Sequence, residues 1–263
     1  MNARTKYLIR RSHRFLGVSI GIQFLLWTIG GLYFSWSDMD EVHGDYEKTP
    51  PALLASNTAY ISPATALDSL RKTVKVDSLA DLRLVSILGI AHWQIVFFEN
   101  GHEHQHKKVC LADARTGELR KPLTESEAVL VAQNGYAGNG KVKSVEYLTE
   151  CGSHHEYRED PLPAVAVTFD DARGTTVYVA TELGTIQKFR NRPWRQFDFL
   201  WMLHTMDYGG RDNITNWLLR AFSILGLATV ASGFTLFFIS RKKTAKLYHR
   251  NAKKGVSHDK GRD

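Results

Sequence analysis

From Phe15 to Ser37 the chain runs for 23 residues without a charged side chain. A helix needs about 20 largely apolar residues to cross a bilayer, so this run is long enough to span one. Its few polar groups (Ser19, Gln23, Thr28, Ser35) can bond back to their own helix. Arg10, Arg11 and Arg14 mark one end; Tyr33, Trp36 and Asp38 mark the other. His13, Gly17 and Gly21 recur four apart, which puts a histidine and two glycines on one helical face.

A second uncharged run, Ala221–Ser240, is followed by Arg241, Lys242 and Lys243. The mean hydropathy of −0.26 therefore averages two apolar spans with a polar middle. Residues 1–14 hold five Lys/Arg and no acid, and residues 241–263 hold nine against two Asp. Setting these tails aside leaves 20 basic and 25 acidic residues, a balance of −5, so the net +7 belongs to the tails. Basic flanks beside both spans place both termini in the cytoplasm and the middle outside it. Nucleic-acid binding fits poorly, because the basic charge is not on a folded face. The first apolar run is too long for a cleaved signal peptide and lacks a small-x-small site, so it reads as a retained anchor.

Cys110 and Cys151 both fall in the middle region, where a disulfide is chemically permitted; two free thiols are the alternative. Residues 38–57, with Pro50-Pro51, read as a linker. Ser62-Pro63 predicts a capped helix with Ala66, Leu67 and Leu70 on one stripe. Strand patterns follow at 82–88, 91–98 and 108–112, with an Asn100-Gly101 hairpin signal between the last two. Thr124 with Glu127 predicts a capping box and a helix to about Asn134. Four more strands are predicted at 142–147, 162–169, 175–180 and 185–189. Two helix-plus-antiparallel-sheet units are the simplest architecture for this pattern.

Ile61-Ser-Pro-Ala-Thr-Ala66, then a hairpin, then Leu111-Ala-Asp-Ala-Arg-Thr-Gly117-Glu-Leu119 resembles a PepSY module. His13-Arg14-Phe-Leu-Gly17 and Trp201-Met-Leu-His204-Thr-Met-Asp207-Tyr208 resemble the PepSY-associated transmembrane helix family. The expected fold is a membrane protein with two transmembrane helices flanking an extracytoplasmic α+β domain of two PepSY-like units. The expected division is a basic tail 1–14, helix 15–37, linker 38–57, units 58–135 and 136–192, an amphipathic interfacial helix and loop 193–213, helix 214–240 and tail 241–263. The resemblance implies a bacterial inner-membrane location. It also implies kinship with proteins of iron and siderophore uptake, some of them haem-containing reductases of ferric siderophores.

Within that family context His13 is the leading candidate ligand of a b-type haem, with Arg10, Arg11 and Arg14 placed to hold propionates. The alternative makes Gly17-x-x-x-Gly21 a packing motif and His13 an interfacial anchor. His204 lies on the apolar face formed by Phe197, Leu200, Trp201 and Tyr208, which suits an aromatic helix at the outer interface. It is the second candidate ligand, or else a histidine packed there with one hydrogen bond. A bilayer core of ~30 Å is expected between His13 and His204, against roughly 4 Å between two axial nitrogens on one iron. One haem near each face, shared across a homodimer joined through the first span, reconciles the two. His102, His104 and His106 alternate and would point one way in a strand, a shallow site for Zn, Cu or Ni, or else form a solvated loop.

The expected function is electron passage from a donor partner or the quinone pool to extracytoplasmic ferric iron or ferric siderophore. Its rival is a non-catalytic PepSY membrane protein whose outer domain binds a peptide, a protease or an envelope partner.

Overall fold

Both apolar runs are helical. The computed structural model describes residues 3–99 and 107–258. Helix α1 (Ala3–Trp36) contains the first run, and the last helix (Trp217–His258) contains the second and continues through the basic tail. Arg4–Trp36 and Trp217–Ser240 are long and apolar enough to cross a membrane. Only 17% and 11% of their most apolar windows are buried within the chain, whereas a core helix of a soluble domain is mostly covered. The chain is a membrane-associated protein of two long apolar terminal helices around a central α+β domain. It divides into two compact units: Ser37–Phe199, and the terminal segments up to Trp36 and from Leu200.

The central unit begins with α2 (Met39–His43) and a 3₁₀ turn, Asp45–Glu47. Asp38 caps α2 by accepting from the Asp40 N–H, and Gly44 ends it at φ 69°. The expected linker is thus partly folded. Val42 and Glu47 are buried, and the Asn191 amide donates to Glu41 O at 2.8 Å. Proline and charge masked this from sequence, because the anchoring residue lies some 150 positions away.

Helix α3 (Pro63–Arg71) carries the expected Ser62 cap. The first sheet is an antiparallel meander of β1 (Ser78–Ile87), β2 (Ile90–Phe98), β3 (Lys107–Asp113) and β4 (Leu119–Arg120), in that order. The β1–β2 hairpin turns on Leu88 and Gly89, both at positive φ, as a two-residue turn matching strand twist requires. α3 packs on β2 and β3 through Ala66 and Leu70 against Ile95, Phe97 and Ala112.

Helix α4 (Glu125–Gly135) has the full capping box of Thr124 and Glu127. Sequence order attaches it to the first unit, but it packs on the second sheet. That sheet is the meander β5 (Lys141–Leu148), β6 (Ala164–Asp170), β7 (Thr176–Ala180) and β8 (Thr185–Arg190). Ala128 and Ala132 meet Val165, Val167, Phe169, Val177 and Val179, and Ile87 and Leu111 of the first sheet join the same core. The small alanines let α4 lie close enough for each buried valine to contribute roughly 1.5–3 kcal/mol. Gln94, buried where the sheets meet, is satisfied by Arg83 Nε and by Leu183 O.

Cys110 and Cys151 are both free, the first beside the core under α3 and the second beside the packing around Tyr157. The expected 193–213 segment forms α5 (Arg192–Thr205), which starts behind an Asn191 cap on the Trp194 N–H. The last helix is α6 (Trp217–His258).

Candidate functional site

In the unit made by the chain ends, α1 and α6 run antiparallel. His13 meets Ser232 and Gly233, while Phe24 meets Gly226. Glycines on α6 sit where these two rings need room. A Cβ on Gly233 would lie 3.3 Å from His13 Cε1, and one on Gly226 would lie 2.9 Å from Phe24 Cζ.

His13 is held by a side-chain hydrogen bond to the other helix. Its Nδ1 lies 2.7 Å from Ser232 Oγ, which is also 2.7 Å from Thr229 O. With the Ser232 hydrogen on Thr229 O, Nδ1 would donate to Ser232 and Nε2 would be the lone-pair nitrogen; with it on His13, the two ring nitrogens exchange roles. Gly17 and Gly21, expected on the same face, have nothing within 4 Å of where a Cβ would stand. Arg10, Arg11 and Arg14 are exposed along the same end of α1. A histidine oriented through Nδ1, an open strip of backbone and three exposed guanidinium groups thus share the first half of this helix.

The end of α5, from Leu200 onward, lies beside α1: Leu200 O approaches Gly30, and Phe34 meets Trp201 edge-on at 6.1 Å. His204 is ringed by Trp27 at 6.0 Å, Phe34 at 5.9 Å and Trp201 at 6.2 Å between centroids, the last stacked at 12°. Its Nδ1 is buried without a hydrogen-bond partner.

A helix that ends beside an apolar span has last-turn carbonyls with no water to receive them. Side chains meet most of them here. Thr205 Oγ1 donates to Trp201 O at 3.0 Å, with Met202 O a longer alternative acceptor at 3.4 Å, and Gln23 Nε2 donates to Leu203 O at 3.0 Å. Trp27 Nε1 donates to His204 O at 2.9 Å, and Asn216 Nδ2 to Thr205 O at 2.9 Å. Thr28 and Ser35 do bond back to their own helix, as expected, but Gln23 does not. Gln23 and Trp27, four apart in the middle of an apolar run, were the signal that another helix end docks there.

The two histidines are far apart. His204 packs on Trp27 and Phe34, fourteen and twenty-one residues along α1 from His13, a rise of ~21–32 Å. They cannot both ligate one iron within one chain, where two axial nitrogens lie roughly 4 Å apart.

In the central unit the polar groups serve the fold. Glu156 takes two bonds from Arg195 at 2.6 and 2.8 Å and one from Tyr178 at 2.7 Å. Burial pushes its carboxyl up, but Arg195 and Tyr178 outweigh that and hold it below the ordinary range. Arg158 pairs with Asp198 at 2.8 Å, and Arg190 lies over the Trp194 ring at 3.9 Å. His92 is buried, and burial lowers its pKa despite the Nδ1 contact with Ile90 O. His102, His104 and His106 lie outside the described residues. Among the described residues no group of three or more His, Cys, Asp or Glu is arranged to hold a metal ion. No family model, no curated protein and no solved structure matches the chain.

Proposed function

We propose that the chain is a PepSY-type inner-membrane protein that binds b-type haem at His13 and His204 and passes electrons outward to ferric iron or a ferric siderophore. The observation that carries this reading is the His13–Ser232 hydrogen bond, which engages Nδ1 and leaves Nε2 as the nitrogen for a ligand. Histidines that bind metals through one nitrogen are commonly oriented by a hydrogen bond from the other. The open Gly17–Gly21 strip leaves room for a flat macrocycle beside that nitrogen. The orphaned Nδ1 of His204 supports a second site, ~21–32 Å along α1 from the first. Haem, when bound, supplies one-electron chemistry. The chain's part is to orient the His13 imidazole, to offer Arg10, Arg11 and Arg14 to the propionates, and to keep water from His204 behind three aromatic rings. Because one chain offers a single histidine at each level, the working unit is a homodimer paired through α1.

The test is the spectrum of the purified chain. A b-type α band on dithionite reduction is expected, with haem content falling in His13→Ala and in His204→Ala but not in His43→Ala. A colourless preparation would leave the non-catalytic reading in its place.

Orientation is part of the same proposal. The basic flanks of both spans lead us to expect that a reporter fused at Gly140 reads as extracytoplasmic and one fused after Lys243 as cytoplasmic. A cytoplasmic reading at Gly140 would reverse the direction of electron flow and remove the siderophore from consideration.

A further inference from the structure

Side chains alternate along a strand, so a groove lying on one face of a sheet is lined by every second residue. A groove of ≈ 970 Å³ in the central unit is lined differently. Leu84, Val85 and Ser86 of β1 border it consecutively, and so do Thr185, Ile186 and Gln187 of β8. It therefore runs along strand edges.

β1 and β8 are outermost strands of their two sheets. Their edges converge on a corner where Gly184, at φ 69°, lies so close to Ile87 that a Cβ would stand 2.4 Å from Cδ1. The C-terminal turn of α4 forms the floor, and residues 48–54 form the remaining wall. That wall does not close the edges. Its isolated bridge, Lys48 with Tyr136, is directed at the end of α4, and Pro50 and Pro51 have no N–H to give a ladder. Among the described residues no strand pairs with either outer edge.

We propose that this groove receives an extended segment of another polypeptide, added as a strand between the β1 and β8 edges. Open edges offer rows of main-chain donors and acceptors, and extended backbone is the ligand that matches them. The lining is largely apolar, and Lys48 is its one charged residue. The occupant is accordingly an uncharged segment rich in β-branched and aromatic residues, since a buried charge would find no partner away from Lys48. This inference is independent of haem binding.

The experiment uses the full chain in lipid nanodiscs and two peptide pools. The first is a mixture of nonapeptides alternating Val, Ile or Tyr with Thr or Ser. The second has the same side chains with every other amide N-methylated. Amide hydrogen exchange is followed in segments covering 84–86 and 185–189. The first pool at millimolar concentration should slow exchange at both edges about tenfold, equivalent to ~1.4 kcal/mol, while the methylated pool should not. Ser86→Arg, placing a charge in the groove, should abolish the effect with circular dichroism unchanged; Thr185→Lys on the facing edge serves if that variant does not fold. Absence of protection by the first pool overturns the proposal. So does equal protection by both pools, which would mark a pocket for small apolar molecules, or undiminished protection in a folded edge variant.

Discussion

Replacing Asp198 with Ala is expected to lower the melting temperature of the central unit by roughly 6–20 °C, the largest stability loss among its ion pairs. Asp198 and Arg158 are 4% and 10% exposed and lie 2.8 Å apart. Removing one partner of a buried pair takes from the other its charge balance, which costs about 3–5 kcal/mol. A domain of this size moves about 2–4 °C per kcal/mol. Arg71 and Asp68, also paired but 57% and 65% exposed, provide the contrast: Arg71→Ala should shift the melt by no more than about 2 °C. Replacing both buried partners, Arg158→Met with Asp198→Leu, should recover most of the loss, because a well-packed apolar pair needs no charge balance. Thermal unfolding followed by tryptophan fluorescence reads all three. An Asp198→Ala shift as small as that of Arg71→Ala would mean that Arg158 finds water or another acceptor. Acid should act through Glu156 in the same region. Its carboxyl is held low in the folded state, so its contribution is complete above the ordinary glutamate pKa and fades as pH falls through the lower folded value.

Local rules carried the central domain. Ser62 before Pro63, and Thr124 three residues before Glu127, state where helices start without reference to the rest of the chain, and both starts are where they were expected. The strands follow alternation and turn residues in the same way. What was not legible depends on partners remote in sequence. The segment after Asp38 looks like a linker until Asn191 is seen binding Glu41 O, and α4 looks like the close of one unit until its alanines are seen on β6 and β7. The site shows the same division. His13 stood out by its position beside glycines and arginines, but the hydrogen bond that orients its ring depends on Ser232, on another helix. His204 was legible as part of an aromatic helix, but not its seat against Trp27 and Phe34 of α1, which depends on donors from that neighbouring helix. Gln23 and Trp27 are those donors, and a single polar residue in an apolar run gives no indication of where its partner lies.

The glycines of α1 and α6 should respond in opposite ways to a bulky side chain, and this separates contacts within a chain from contacts between chains. At Gly226 a Cβ already meets the Phe24 ring at 2.9 and 3.1 Å, so Gly226→Leu must push α6 from α1 inside one molecule. At Gly21 nothing lies within 4 Å, so Gly21→Leu should leave the α1–α6 pair undisturbed. If the open strip of α1 packs against a second copy, as the proposed dimer requires, Gly21→Leu fills the space the partner helix needs. Membrane helix contacts are worth about 1 kcal/mol each, so the loss of one or two should weaken dimerisation about five- to thirtyfold. Crosslinking and mass measurement in mild detergent then give a distinctive pattern. Gly21→Leu should appear as monomer, with His13-dependent haem lost and the His13–Ser232 packing kept. Gly226→Leu should loosen that packing and make Gly233 and Ser232 accessible to thiol reagents when each is changed to Cys. A Gly21→Leu protein that remains dimeric with unchanged haem would show that α1 does not supply the interface. The second ligand of His13 would then have to come from elsewhere than a second His13.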